Sequence, residues 1–309
     1  MRVFLTGGTG LVGRRLAEAL GSRGDEVVVL TRRPDAARQL GLAATLVEGD
    51  ATQPGPWAEA VADCDAVVNL AGENIFARRW TAAVKARLRD SRVRGTGRVV
   101  EALSRRPRTQ DGRPKVMVNA SAVGYYGFCG DEELTEESPP GTDDMALLCR
   151  DWEAAAQAAE RFGVRVVRVR IGIVLDRRGG ALGLLLPLYR SFLGGTVGGG
   201  RQWMSWVHHA DLTGLLLLAL DNPAAAGPLN GTAPNPVTNR TFGKTLGTVL
   251  GRPSLLPAPA FGLRLLLGER ADMLLHGQRV LPRRARELGY AFRFPDLEGA
   301  LRDVNQPEV

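Results

Sequence analysis

The sequence predicts an α/β chain built on a doubly wound parallel sheet, with a smaller C-terminal lobe. Three observations carry that prediction. An N-terminal apolar run breaks at a glycine cluster and resumes at helical spacing; further apolar runs then alternate with helical patterns; and glycine or polar residues close each run. Right-handed crossovers make such a sheet parallel and put every strand's C-terminal end on one edge, where ligands bind.

The first strand covers residues 3–5 and stops at Thr6-Gly7-Gly8-Thr9-Gly10. Leu11, Val12, Leu16, Ala19 and Leu20 then recur at helical spacing. A helix that begins directly after a strand aims its unpaired N–H groups and positive dipole end above the turn, which suits a pyrophosphate. Gly7 lets the chain turn, Gly10 lets backbone approach the phosphates, and Gly13 lets helix and strand pack closely. Thr9, Leu11 and Val12 share that turn and are placed with the glycines as cofactor contacts.

The second strand, 26–31, ends in Thr31-Arg32-Arg33 rather than in the carboxylate that would hold the 2′-hydroxyl of NAD. Two guanidiniums can pair with a 2′-phosphate, so NADP(H) is expected over NAD; the alternative is a pair of solvated surface arginines. The third strand, 44–48, ends in Gly49-Asp50, and Asp50 either accepts from the adenine amino group or caps the next turn. The fourth, 66–70, delivers Leu70, Ala71 and Gly72 to the cofactor crevice. A long helix is expected over 80–103, a polar loop over 107–114, and a fifth strand over 115–119 that runs into Ser121-Ala122-Val123-Gly124-Tyr125-Tyr126-Gly127. A helix over 145–162 and a sixth strand over 164–170 follow, the latter bringing Arg170 to the cofactor edge.

From Gly172 the pattern loosens into glycine pairs around helices at 184–192 and 212–220. The expected division is a nucleotide-binding core over 1–175, to which residues of about 200–235 return, and a smaller substrate lobe over 176–309. The lobe includes a distinct segment from about 255, with Pro257-Ala258-Pro259 as a hinge.

Composition fits a globular chain: 44% apolar, 24% charged and 6% aromatic over 309 residues. The longest dense apolar run, 215–220, is far below the roughly 20 residues of a membrane span, and Met1-Arg2 enters a strand without a signal peptide. Three cysteines, Cys64, Cys129 and Cys149, give neither a disulfide framework nor metal spacing, so no metal and a cytoplasmic location are expected. The charge of +7 comes largely from scattered arginine pairs without interleaved aromatics, which fits an anionic cofactor better than nucleic acid.

The motifs together resemble the extended short-chain dehydrogenase/reductase superfamily of the nucleotide-sugar epimerase type, and within it the atypical branch called "epimerase family protein" or cell-division-inhibitor-like. The resemblance rests on Gly7-x-x-Gly10-x-x-Gly13, Leu70-Ala71-Gly72-Glu73-Asn74-Ile75, Arg79-Trp80-Thr81, Ser121 to Gly127, Cys149-Arg150-Asp151-Trp152-Glu153, Ser205-Trp206-Val207-His208 and Gly277-Gln278-Arg279-Val280-Leu281-Pro282. It implies a Rossmann core that binds NAD(P) and a C-terminal region that holds a small polar substrate, without membrane or nucleic-acid partners. It also implies a homodimer formed through helices 80–103 and 145–162.

In active members a Ser or Thr and a Tyr-x-x-x-Lys pair handle the substrate oxygen and its proton. Ser121 takes the serine place, but Cys149 and Glu153 stand in the tyrosine and lysine places, and a carboxylate raises a thiol pKa rather than lowering it. Tyr126 or Glu73 is then left to move the proton, and either Tyr125 or Tyr126 can present a phenol. Asn74 and Tyr125 are expected at the substrate, His208 beside the substrate lobe with Asp211 capping the following helix, and Arg279 with Gln278 either in the pocket or pinning the lobe. Two functions remain open: an NADP-dependent oxidoreductase or epimerase, and a non-catalytic NADPH-binding regulator or sensor.

Overall fold

The computed structural model describes residues 1–113 and 115–306. Its centre is a seven-stranded parallel sheet of β1 (Arg2–Thr6), β2 (Glu26–Thr31), β3 (Thr45–Glu48), β4 (Ala66–Asn69), β5 (Val116–Ala122), β6 (Arg165–Ile171) and β7 (Gly227–Gly231), in the order β7-β6-β5-β4-β1-β2-β3. The order reverses between β1 and β4, so the loops after those two strands part and leave a crevice at the sheet's C-terminal edge.

Valine-rich runs form these strands because both faces are covered, so a period of two separates two cores rather than core from solvent. Val3, Leu5, Val27, Val29, Val68 and Val118 pack on one face against Leu16 and Leu20 of α1 (Leu11–Ser22), and against leucines 212, 215 and 216. Phe4, Val28, Val67 and Met117 face the other way, onto Trp57, Val61, Val99 and Leu103.

The expected long helix becomes α2, residues 82–105, which starts at the Thr81 cap and widens into a π-helical turn at Asp90–Arg94. The helix that follows β5, α3 (Asp144–Gln157), starts at Asp143, whose carboxylate accepts the Met145 and Ala146 N–H groups. A 3₁₀ turn, Ala158–Phe162, takes the place of its expected last turn. The loop 107–114 reaches Pro114, which lies outside the described residues, as do 307–309.

The C-terminal residues build a core of their own from Leu182, Leu186, Tyr189, Trp206, Phe242, Leu246 and Leu301. Two expectations about this region are corrected. Pro257-Ala258-Pro259 is no free hinge, because Ala258 N–H donates to the Thr196 carbonyl and the Ala258 carbonyl accepts from Gly198, both at 2.9 Å. Asp211 does not cap α4 (His209–Asp221); its carboxylate accepts the backbone N–H groups of Arg293 and Phe294 and the Tyr290 hydroxyl, fastening the C-terminal segment. Among the described residues no helix is long and apolar enough to cross a membrane.

Candidate functional site

The glycine turn is held by backbone contact. Gly7 has φ +69°, and a Cβ there would meet the Leu70 carbonyl at 2.8 Å. A Cβ at Gly13 would lie 2.2 Å from the Gly7 oxygen, so this position brings α1 onto the strand exit. Gly10 starts α1 without any side-chain cap, and Thr9 and Gly10 are exposed, with Leu11 and Val12 partly so. The first-turn N–H groups of α1 therefore face the open crevice. Arg32 and Arg33 are exposed at the end of β2, and among the described residues neither has an ion-pair partner. Asp50 caps its own turn, its Oδ1 accepting from Thr52 N–H and Oγ1 at 2.8 Å each. Leu70 and Ala71 are tied to β1 through Thr6, while Gly72 is exposed beside the Arg92 guanidinium.

A second cluster lies where the superfamily's reacting residues are expected. Ser121 and Arg170 are register partners on β5 and β6, and both reach Glu153 of α3. Ser121 Oγ donates to Glu153 Oε1 at 2.7 Å, Arg170 Nε donates to the same oxygen at 2.8 Å, and Arg170 Nη2 donates to Oε2 at 3.0 Å. Arg170 Nη1 also donates to the Tyr126 hydroxyl, which in turn donates to Asn230 Oδ1 at 2.6 Å. Burial works against the Arg170 charge, but Glu153's hydrogen bonds and charge outweigh it and raise its pKa.

This arrangement corrects three expectations. Arg170 is 3% exposed and spends its donors on Glu153, Tyr126 and the Glu136 carbonyl, so it does not reach a cofactor. Tyr126 is 1% exposed, its hydroxyl is taken up by Asn230 and Arg170, and burial pushes its phenol up to about 12 despite Arg170, so it lies in the core and not on the crevice where a substrate would meet it. Ser121 is buried with its proton committed to Glu153. The Cys149 thiol is likewise pushed up to about 12, by burial first and by the Glu153 charge second.

Tyr125 remains partly exposed, with the Arg170 guanidinium 3.5 Å over its ring. Glu73 lies at the β4 exit with a carboxylate oxygen 3.5 Å from Arg87, and Asn74 Oδ1 caps its turn by accepting from Phe76 N–H. Arg279 pins rather than lines a pocket: it pairs with Glu133 at 2.9 Å and stacks over Trp203.

His208 is buried, and its Nδ1 accepts the Ala210 N–H at the start of α4. The ring proton therefore sits on Nε2, which lies 3.1 Å from an Asp303 carboxylate oxygen without hydrogen-bond alignment. His208, His209 and Asp303 are close enough to hold a metal ion, but the His208 nitrogen facing Asp303 carries that proton. Nothing here assigns a metal.

Sequence reasoning missed the polar row beneath the crevice. Thr6, Asn69 and Asn119 sit side by side on β1, β4 and β5. Asn69 Nδ2 donates to Thr96 Oγ1 and Asn119 Oδ1, Asn69 Oδ1 accepts the Thr6 hydroxyl, and Thr96 also accepts from Trp152 Nε1. A polar residue closing each of three apolar runs was the available signal. Arg92, on the π-helical turn, was missed because no spacing marks it.

Comparison with known proteins places this geometry. Residues 3–230 match the model of the NAD dependent epimerase/dehydratase family, and residues 258–304 match a domain of unknown function, DUF1731. The chain is 44% identical to the chloroplastic epimerase family protein SDR39U1 homolog of Arabidopsis thaliana, covering 99% of this chain and 87% of that one. It is 39% identical to human epimerase family protein SDR39U1, covering 98% and 99%. The crystal structure of human SDR39U1 (isoform 2) with NADPH superposes with TM-score 0.84 at 38% identity over 98% of this chain and 99% of that one. The Thermus thermophilus UDP-glucose 4-epimerase complex with NAD shares the fold, with TM-score 0.78 at 20% identity over 99% and 98%. The chain belongs to the NAD dependent epimerase/dehydratase family, in its extended short-chain dehydrogenase/reductase form.

Proposed function

We propose that the chain binds NADP(H) and acts as an oxidoreductase or epimerase on a small polar substrate. The observation that carries this reading is the uncapped start of α1 over the Gly7–Gly13 turn, with Arg32 and Arg33 exposed at the neighbouring strand end and without ion-pair partners among the described residues. The turn and α1 would hold the pyrophosphate, and the two arginines a 2′-phosphate. Asp50 Oδ2, without a hydrogen-bond partner among the described residues, can serve the adenine side, and Leu70, Ala71 and Gly72 would line the path toward the reactive end. The human relative crystallised with NADPH supports the same choice of cofactor.

The bound nicotinamide would supply hydride chemistry. Around it this chain offers Tyr125, Glu73 and Asn74, polar side chains partly or fully exposed at the exits of β4 and β5. In this reading Tyr125 takes the role that burial denies Tyr126. Residues 1–175 with 200–235 form the cofactor-binding part, and the remainder of 176–309 frames the substrate.

A second reading, an NADPH-binding regulator without catalysis, is favoured by one observation: the lysine place holds Glu153, whose charge is neutralised by Arg170 and which also accepts the Ser121 hydroxyl. Calorimetric titration with NADPH and NADH, on wild type and Arg32→Ala, tests the cofactor reading. Tighter NADPH binding that falls about 10-fold or more in the variant supports it. Binding of neither nucleotide by folded, cofactor-free protein would overturn both readings.

A further inference from the structure

Arg92 is a guanidinium that none of the roles above employs. The helix that carries it opens into a π-helical turn at Asp90–Arg94, and such turns re-aim side chains at functional sites. Arg92 Nη2 donates to the Glu73 carbonyl at 3.1 Å and Nη1 to the Leu88 carbonyl at 3.3 Å, while the guanidinium lies 5.2 Å over the Trp152 ring. It thus bridges the β4 exit and α3, beside the Cys149 position.

No carboxylate pairs with it among the described residues. Burial pulls its pKa down, yet a guanidinium stays charged at neutral pH. Its two charge neighbours offer little: Cys149 remains a protonated thiol, and Glu73 is shared with Arg87. A partly buried cation without a counter-charge is costly, and a ligand of opposite charge removes that cost.

The free donors have a shape. Nε–H and one Nη2–H find no protein acceptor among the described residues. Nε and Nη2 make up the side-on edge of the guanidinium, the one that takes a carboxylate or phosphate. Gly72 packs on the flat face of the guanidinium, where a Cβ would stand 3.1 Å from Cζ, 3.2 Å from Nη2 and 3.5 Å from Nε, so the glycine lets Arg92 lie against the β4 exit.

The surroundings point the same way. Arg270, 9% exposed, donates to the Phe76 and Leu267 carbonyls and also lacks a carboxylate partner among the described residues. Arg78 and Arg79 are exposed on the same loop without ion pairs among those residues. The β4 exit is therefore rich in arginine, and the carboxylates of Glu73 and Glu269 beside it are already paired, with Arg87 and Lys85.

We propose that the substrate carries an anionic group, a carboxylate or a phosphate, and that Arg92 binds it at the crevice beside Gly72 and Glu73. This deepens the cofactor-dependent reading and rests on it for what the bound molecule then undergoes. The anion site itself is tested independently.

The protein, in one series cofactor-free and in a second saturated with NADP⁺, would be titrated calorimetrically with inorganic phosphate and with succinate at constant ionic strength. At least one anion is expected to bind. Arg92→Gln should weaken it 10-fold or more, Arg92→Lys should weaken it less, and both variants should keep NADPH affinity within about 3-fold. Preference between the two anions identifies the group.

Equal anion binding by wild type and Arg92→Gln overturns the proposal, as does wild type that binds neither anion. A variant that loses NADPH in step with the anion also overturns it, because Arg92 then serves the cofactor. Wild type that binds anion but no NADPH sinks the cofactor reading alone. Should Arg92→Gln not fold, Arg92→Lys decides: it keeps the charge and loses the two-pronged donor edge, so it must bind the anion more weakly than wild type, and equal binding overturns the proposal.

Discussion

Glu153 accepts the Ser121 hydroxyl at 2.7 Å while Arg170 grips both of its carboxylate oxygens, the ion pair being about 4% exposed or less on either side. Removing one member of such a pair strands the other charge away from water. Glu153→Gln is expected to cost ~3–5 kcal/mol in urea unfolding. Glu153→Lys, which restores the residue type of the related enzymes, should be worse, because two buried cations would then face each other. A loss below ~1 kcal/mol in Glu153→Gln would mean the pair is solvated.

Gly13→Ala should act on stability and cofactor together. The new Cβ would sit 2.2 Å from the Gly7 oxygen, so α1 must shift off the turn and carry its N–H groups with it. The expected cost is ~1–3 kcal/mol, with NADPH affinity falling in parallel. Gly97→Ala is the matched control: that helical glycine is exposed, and a methyl added to it would meet nothing within 4 Å, so alanine should stabilise by ~0.5–1 kcal/mol. Thermal midpoints moving in opposite directions would bear this out.

These two sites show what could be read from sequence. The Gly7–Gly13 turn and the alternating valine-rich runs report local geometry, and local geometry repeats in the order of residues. Strand β7, GPLNG, carries no alternation and little β-forming character; it is a strand because β6 offers an unpaired edge. The fate of Ser121, Tyr126 and Arg170 depended on Glu153 and Asn230, which arrive from α3 and β7. No spacing in the chain encodes those meetings. Arg92 is legible only through what it lacks among the described residues, a carboxylate neighbour of its own, and that is a property of the folded molecule.

The two adjacent tyrosines should separate cleanly. Tyr126→Phe removes hydrogen bonds to Arg170 and Asn230 inside the core, so ~1–3 kcal/mol of stability should be lost with little change in NADPH binding. Tyr125→Phe removes a hydroxyl at the crevice, so stability should hold while turnover of any NADPH-consuming substrate falls. If Tyr126→Phe abolished turnover at unchanged stability, the buried phenol would have to be reinstated as a reacting group.

His208 sets a limit on acid stability. Burial, then the charges of His209 and Arg293, hold its pKa at about 3 against the ordinary 6.5, despite the opposing Asp176 and the nearby Asp303. The unfolded chain takes up this proton near pH 6.5 and the folded one does not until about 3, so the unfolded state binds more protons in between. Stability attributable to this residue is therefore present above pH 6.5 and is lost as pH falls through that window. The expected loss is ~2 kcal/mol between about pH 7 and pH 5. His208→Asn keeps a side chain able to cap α4 and removes the titration, so its unfolding free energy should fall less over the same range. Parallel pH profiles for wild type and variant would show that the imidazole protonates without unfolding, and the Nε2–Asp303 approach would then be an ion pair in acid.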